Sequence, residues 1–176
     1  MKMINSHCYH NFIRCFRIEK NEFNDDLMVM DQDALTLKPK LRNEMCHQIA
    51  ETIEIKASDE VAIASYAHQG MSLGIVISQI LTIPFLYLRT SQKKYGLKNQ
   101  VEGLLLENQK IIFFSLYLPS IELFDKTNAI FQEKKAKMIQ WVSIIGKEND
   151  AKNLKIPHHF FLKQEKIYGD LKLMER

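Results

Sequence analysis

The chain has 176 residues, 46% hydrophobic and 26% charged, with six Gly and four Pro. That is enough for one well-buried core, and it excludes a disordered or collagen-like chain. The formal net charge of +3 is small, and the basic pairs Lys93-Lys94 and Lys134-Lys135 are too short to neutralise several phosphates, so no nucleic-acid partner is expected. Cys8, Cys15 and Cys46 are odd in number and lack paired spacing, which argues against a disulfide framework and for a reducing compartment, the cytoplasm.

In chain order, residues 1–24 show no clear period and carry His7, His10 and Arg14 among their apolar residues, so no secretory signal is expected. Asn24, Asp25 and Asp26 mark a turn before the apolar group 27–30. Pro39 suits a first helical turn, and Leu41, Met45, Ile49 and Ile53 recur every fourth residue, which predicts an amphipathic helix through Glu54, its apolar face widened by Cys46 and Ala50. The run VAIA at 61–64 predicts a buried strand, Gly70 opens a helix to about Thr82, and residues 83–88 predict a second buried strand. Residues 71–88 are strongly apolar, but Ser72, Gly74, Ser78, Gln79, Thr82 and Pro84 interrupt them, so no membrane span is expected.

A helix joining two such runs is the unit that builds parallel sheets. Residues 89–103 read as a polar loop with few large apolar side chains, of a length usually functional or disordered. A third strand is predicted at 111–116. A helix then starts at Pro119 and Ser120, with Ile121, Phe124, Ile130 and Phe131 toward the sheet and Glu133, Lys134 and Lys135 closing it. A fourth strand runs over 138–145 to Gly146, and residues 147–155 form a charged connection. With no repeat or linker, residues 1–176 are read as a single α/β domain with a parallel sheet flanked by helices.

The stretch PFLYLRTSQKKYGLKNQVEG at 84–103 resembles the strand and catalytic loop of the orotate phosphoribosyltransferases, whose loop reads Arg-Lys-Glu-x-Lys-x-[His/Tyr]-Gly and ends in Glu-Gly. Arg89, Lys93, Tyr95, Gly96, Glu102 and Gly103 fall at matching spacing, while Thr90 and Ser91 replace the family's Lys and Glu. The resemblance extends back through Gly70, where the family has a Gly-Gly pair, to Asp31 and Pro39 in MDQDALTLKP, and covers residues 28–146. It implies a type I phosphoribosyltransferase-like fold. It also implies Lys93 as the catalytic-loop cation and Arg89, Tyr95, Ser115 and Ser120 as the ligand-binding positions. Outside the resemblance, Arg89 reads equally as a strand-end cation paired with a nearby carboxylate, and Lys93 as solvated surface.

In the family, two adjacent carboxylates after the third strand hold the donor's ribose hydroxyls, and a Thr/Ser-Gly-rich turn wraps its 5′-phosphate. Carboxylates accept strongly from hydroxyls, and small residues let backbone N–H groups converge on phosphate at a helix N-terminus. Counted from Glu102-Gly103 without a gap, the carboxylates are replaced by Ser115 and Leu116, and the turn by Leu118, Pro119, Ser120 and Ile121. Pro119 has no N–H, Ile121 is β-branched, and Leu116 accepts no hydrogen bond. The family's Lys-Ser-Gly segment has no clean counterpart in FRIEKNEFN, where Lys20 is displaced, and Asp33 stands where the family has Arg. A charge reversal there repels an anionic substrate.

His7, Cys8, His10 and Cys15 fit no paired-ligand spacing, and His158-His159 would point to opposite faces of a strand, so no metal site is expected and 158–159 reads as surface or edge strand. The expectation is a non-catalytic or strongly altered orotate phosphoribosyltransferase-like binding subunit without a cofactor. Its expected partners are a second copy or a related transferase, with a nucleotide or phosphate as ligand and no membrane. The alternative is an active, Mg²⁺-dependent enzyme of pyrimidine biosynthesis that joins orotate to phosphoribosyl diphosphate, with Arg89 and Lys93 neutralising the departing diphosphate. A third reading is a nucleotide sensor that binds without turnover.

Overall fold

Four of the predicted apolar runs become parallel neighbours in one sheet, because helical crossovers return the chain to the same end each time. The computed structural model describes residues 6–20, 26–31, 37–55, 60–89 and 100–174. Along them run α1 (Ser6–Ile13), β1 (Phe16–Lys20), β2 (Asp26–Met30) and α2 (Pro39–Ala50). The α/β core follows with β3 (Val61–Tyr66), α3 (Met71–Leu81), β4 (Phe85–Leu88), β5 (Val101–Glu102), β6 (Lys110–Tyr117) and α4 (Ile121–Glu133). The chain continues through β7 (Lys137–Gly146), α5 (Glu148–Ala151), β8 (His158–Lys163) and α6 (Gln164–Met174). The sheet order is β5-β4-β3-β6-β7-β8, parallel except for the antiparallel edge strand β5, and β1 and β2 form a separate antiparallel hairpin.

Both faces of the sheet are buried, so its strands are continuous apolar runs. On one face Ile63, Ile112, Phe114 and Val142 pack with α1, α2, α3, α6 and the hairpin. On the other, Ala62, Ala64, Phe113 and Trp141 meet Phe124 and Phe131 of α4. The aromatic rings there sit edge-on or tilted, with Phe113 4.4 Å from Trp141 and 4.8 Å from Tyr66.

Several boundaries move for physical reasons. The helix expected through Glu54 ends at Ala50, since the N–H groups of Thr52 and Ile53 bond carbonyls three residues back and tighten the last turn. The second strand begins at Phe85: Ile83 donates back to Ser78 to close α3, and Pro84 has no N–H to give. Gly70 opens α3 at a φ of +96°, and a Cβ there would come within 3.1 Å of the Phe114 ring, so glycine meets both a conformational and a steric need. α1, the hairpin, α5 and α6 were not expected. The polar loop contributes β5, and His158-His159 lie in β8, an edge strand.

Among the described residues, no helix is long and apolar enough to cross a membrane. Likewise, no group of three His, Cys, Asp or Glu is gathered to hold a metal ion.

Gly146 ends β7 under Phe160, and a Cβ there would lie 2.5 Å from the root of its ring. Gly146→Val is therefore expected to destabilise the protein by about 1–3 kcal/mol, read as a lower urea midpoint at unchanged slope. Cys8 and Cys46 are fully buried, and burial pushes both thiols up to about 12. Their contribution to stability is complete below the ordinary thiol value of 9.0 and is lost as pH rises toward 12. At pH 8 both thiols should resist an aromatic disulfide reagent in the native protein and react promptly in denaturant.

Candidate functional site

The strand order reverses between β3 and β6: α3 leaves β3 on one face and α4 leaves β6 on the other. Connections diverging from adjacent strands open a crevice at their carboxyl ends, the usual ligand position in such sheets. Tyr66 through Gly70 border it after β3, Arg89 after β4, and the turn of Leu118, Pro119 and Ser120 after β6.

One donor of that turn is spent internally. The Leu118 N–H donates to the Ile145 carbonyl at 2.7 Å, stitching the end of β6 to β7, and Pro119 has none. Ser120 is the N-cap of α4, its hydroxyl accepting from the Leu123 N–H at 3.3 Å. Glu122 turns along the helix to Lys126, 2.6 Å away, which holds its carboxyl below the usual range. The outer side of the turn is apolar, with Ile121 46% and Leu123 41% exposed.

Ser115 lies beneath the crevice, in the sheet. Only 2% exposed, it donates to the Tyr117 carbonyl at 2.6 Å and accepts from the Trp141 indole N–H at 2.8 Å, with Ser143 Oγ at 3.2 Å. The hydroxyl is committed to these partners. Leu116 is buried on the opposite face.

Arg89 stands at the lip as the half-exposed end of a hairpin. Its N–H donates to the Gln100 carbonyl at 2.9 Å, its Nε to Glu102 Oε1 at 2.8 Å, and its guanidinium lies 5.9 Å from the Tyr87 ring. The Glu102 hydrogen bond makes it hold its proton more strongly. Of the two readings of Arg89, this geometry matches the strand-end ion pair. Lys93, Tyr95 and Asp33 lie outside the described residues. Lys20 ends β1 with an exposed side chain.

Two tyrosines that sequence reasoning missed flank the crevice. Tyr66, at the end of β3, shares a short hydrogen bond with Thr127 of α4, and Tyr117, at the end of β6, is hydrogen-bonded to the Met30 backbone in β2. Burial raises both phenols above their usual range, and each hydrogen bond partly offsets it. The only advance signal was position, a tyrosine closing each buried run.

The architecture has counterparts among solved structures. Orotate phosphoribosyltransferase from Aeropyrum pernix superposes with a TM-score of 0.70 over 92% of this chain and 94% of that one, at 12% identity. Adenine phosphoribosyltransferase from Leishmania tarentolae does so with a TM-score of 0.68 over 94% and 90%, at 15% identity. The chain thus has the type I phosphoribosyltransferase fold. Its sequence is similar to orotate phosphoribosyltransferases: it is 32% identical over 74 residues to that of Malacoplasma penetrans and 35% identical over 74 residues to that of Porphyromonas gingivalis. Each match spans 42% of this chain and 35% of the relative, so the similarity covers about a third of the length of the curated relatives. No family model matches the chain.

Trp141→Phe would keep the ring packing but remove the donor to Ser115. A cost of about 1–3 kcal/mol is expected in chemical denaturation, since the buried serine loses a partner that water cannot replace.

Proposed function

We propose that this chain is a non-catalytic or strongly altered relative of orotate phosphoribosyltransferase, acting in the cytoplasm as a binding or partner subunit of a second copy or of a related transferase. The observation that carries this reading is the turn after β6, where Leu118 and Leu123 give their N–H groups to the chain itself and Pro119 has none. Each lost hydrogen bond to a charged group is worth roughly 1.5–3 kcal/mol, so two or three losses weaken donor binding on the order of thousands-fold. A retained nucleotide or phosphate ligand would have to be held by other groups.

The chemistry of the site also disfavours a Mg²⁺-diphosphate complex. The positions where carboxylates would face the donor hold Ser115, with its hydroxyl engaged inside the sheet, and Leu116, while Glu122 is turned to Lys126. These residues do not fit the metal.

The alternative, an active enzyme making orotidine 5′-phosphate from orotate and phosphoribosyl diphosphate, is favoured by one observation, the sequence similarity to orotate phosphoribosyltransferases over 74 residues.

Purified protein mixed with orotate, phosphoribosyl diphosphate and Mg²⁺ is expected to consume no orotate at enzymatic turnover; about 1 s⁻¹ or more would establish the alternative. Calorimetric titration with the donor and Mg²⁺ separates a sensor, which binds without turnover, from a scaffold, which does not bind. Converting Ser115-Leu116 to Glu-Asp is expected to leave activity absent, because the turn would still lack the Leu118 and Pro119 donors and a new acid would replace the hydroxyl partnered with Trp141.

A further inference from the structure

Two helices that do not border the crevice enclose a groove of their own. Ser6, Tyr9 and Ile13 recur along one side of α1, and Lys166, Asp170 and Met174 along one side of α6, at spacings that put each set on a single helix face. With Leu162 and Leu173 they line a groove of about 570 Å³. Small-molecule sites typically measure about 300–1,000 Å³ and set a few polar groups in an apolar wall. Here the apolar wall is Ile13 and Leu162, both buried, with Leu173 and Met174 exposed at the rim.

The polar groups are two opposite charges. Lys166 and Asp170 stand four residues apart on the helix, where an acid and a base are neighbours able to pair. Neither is ion-paired among the described residues. Tyr9 comes between them: its ring takes the Lys166 ammonium, with Nζ 4.7 Å from the centroid, and its hydroxyl donates to Asp170 Oδ2. Burial first, and then the Asp170 hydrogen bond, hold the Tyr9 phenol above its usual range, so it stays a donor. An ammonium carries three N–H donors and a carboxylate two acceptor oxygens, so Lys166 and Asp170 each keep capacity for a further partner.

These charges select the occupant. A ligand bearing only an anion is repelled by Asp170, and one bearing only a cation is repelled by Lys166. A neutral apolar ligand would strip water from both charges and return nothing. A zwitterion meets both. Side chains four apart on a helix lie about 5–6 Å from one another at Cβ, so the ligand's two charges must be close together, as when one carbon carries both. The rest of the ligand then faces Ile13, Leu162 and the apolar rim.

We propose that the groove between α1 and α6 is a binding site for a free apolar α-amino acid, its carboxylate on Lys166, its ammonium on Asp170 and its side chain against Ile13 and Leu162. The site shares no residue with the crevice and is independent of whether the crevice binds or turns over a nucleotide. A ligand of so few atoms in an open groove is expected to bind with a Kd on the order of 0.1–1 mM.

Backbone amide NMR of the full chain, titrated with leucine to about 50 mM, covers that range. Saturable shifts are expected at Tyr9, Ile13, Lys166 and Asp170. Glycine, 4-methylpentanoate and 3-methylbutylamine each lack one of the three groups, and each is expected to bind at least about tenfold more weakly than leucine. Lys166→Met and Asp170→Asn are expected to weaken leucine by at least about tenfold with the thermal midpoint unchanged, since both keep a side chain of similar size and Asn still accepts from Tyr9. The loss should be selective: Lys166→Met leaves 3-methylbutylamine unaffected, and Asp170→Asn leaves 4-methylpentanoate unaffected. Shifts that do not saturate, or that fall outside the groove, overturn the proposal. So do analogues that bind as well as leucine, or variants that bind it normally. A groove that takes decanoate and not leucine would be a site for an acyl chain, and overturns it as well.

Discussion

The hydrogen bond from the Trp141 indole to Ser115 is the constraint on which the carboxyl end of the sheet depends. Trp141 is fully buried against Phe113 and Phe124, so its N–H must find an acceptor inside the protein. Ser115 supplies it from β6, the neighbouring strand, and donates its own hydrogen bond to the Tyr117 carbonyl. The relay fixes β6 against β7 just before the chain turns into α4, and thereby fixes where that helix begins. A carboxylate at 115 would place a charge beside an aromatic cluster, with only polar hydrogens to offset its desolvation.

From there the crevice is shaped by the chain's own side chains. Tyr66 ties β3 to α4 through Thr127, and Tyr117 ties β6 to the hairpin through Met30. The Leu118 N–H is drawn to β7. These groups hold neighbouring elements in register. The fold is that of the type I phosphoribosyltransferases, while the local chemistry of its crevice is that of a packed joint.

How much of this the sequence disclosed follows from periodicity. The runs at 61–64, 83–88, 111–116 and 138–145 announce themselves because a sheet covered on both faces needs no polar alternation. α2 is plain because Leu41, Met45 and Ile49 mark every turn. α6 hides because only Ile167 and Leu171 of its residues are buried, and the hairpin hides because only one of its faces is covered. At the site, Ser115, Leu116 and Pro119 were readable as residue types. The relay through Trp141, Ser115 and Ser143 was not, since it joins residues of two strands whose register is set only in three dimensions. The Arg89–Glu102 pair lay between these cases, with a carboxylate expected but its identity decided by the antiparallel return of β5.

That return has a mechanical corollary. Arg89 bonds the Gln100 carbonyl and the Glu102 carboxylate, and Tyr87 and Leu88 pair with Glu102 and Val101. The carboxyl end of β4 is thereby clasped by main-chain and side-chain bonds together, so neither the ion pair nor the ladder alone holds this edge of the sheet.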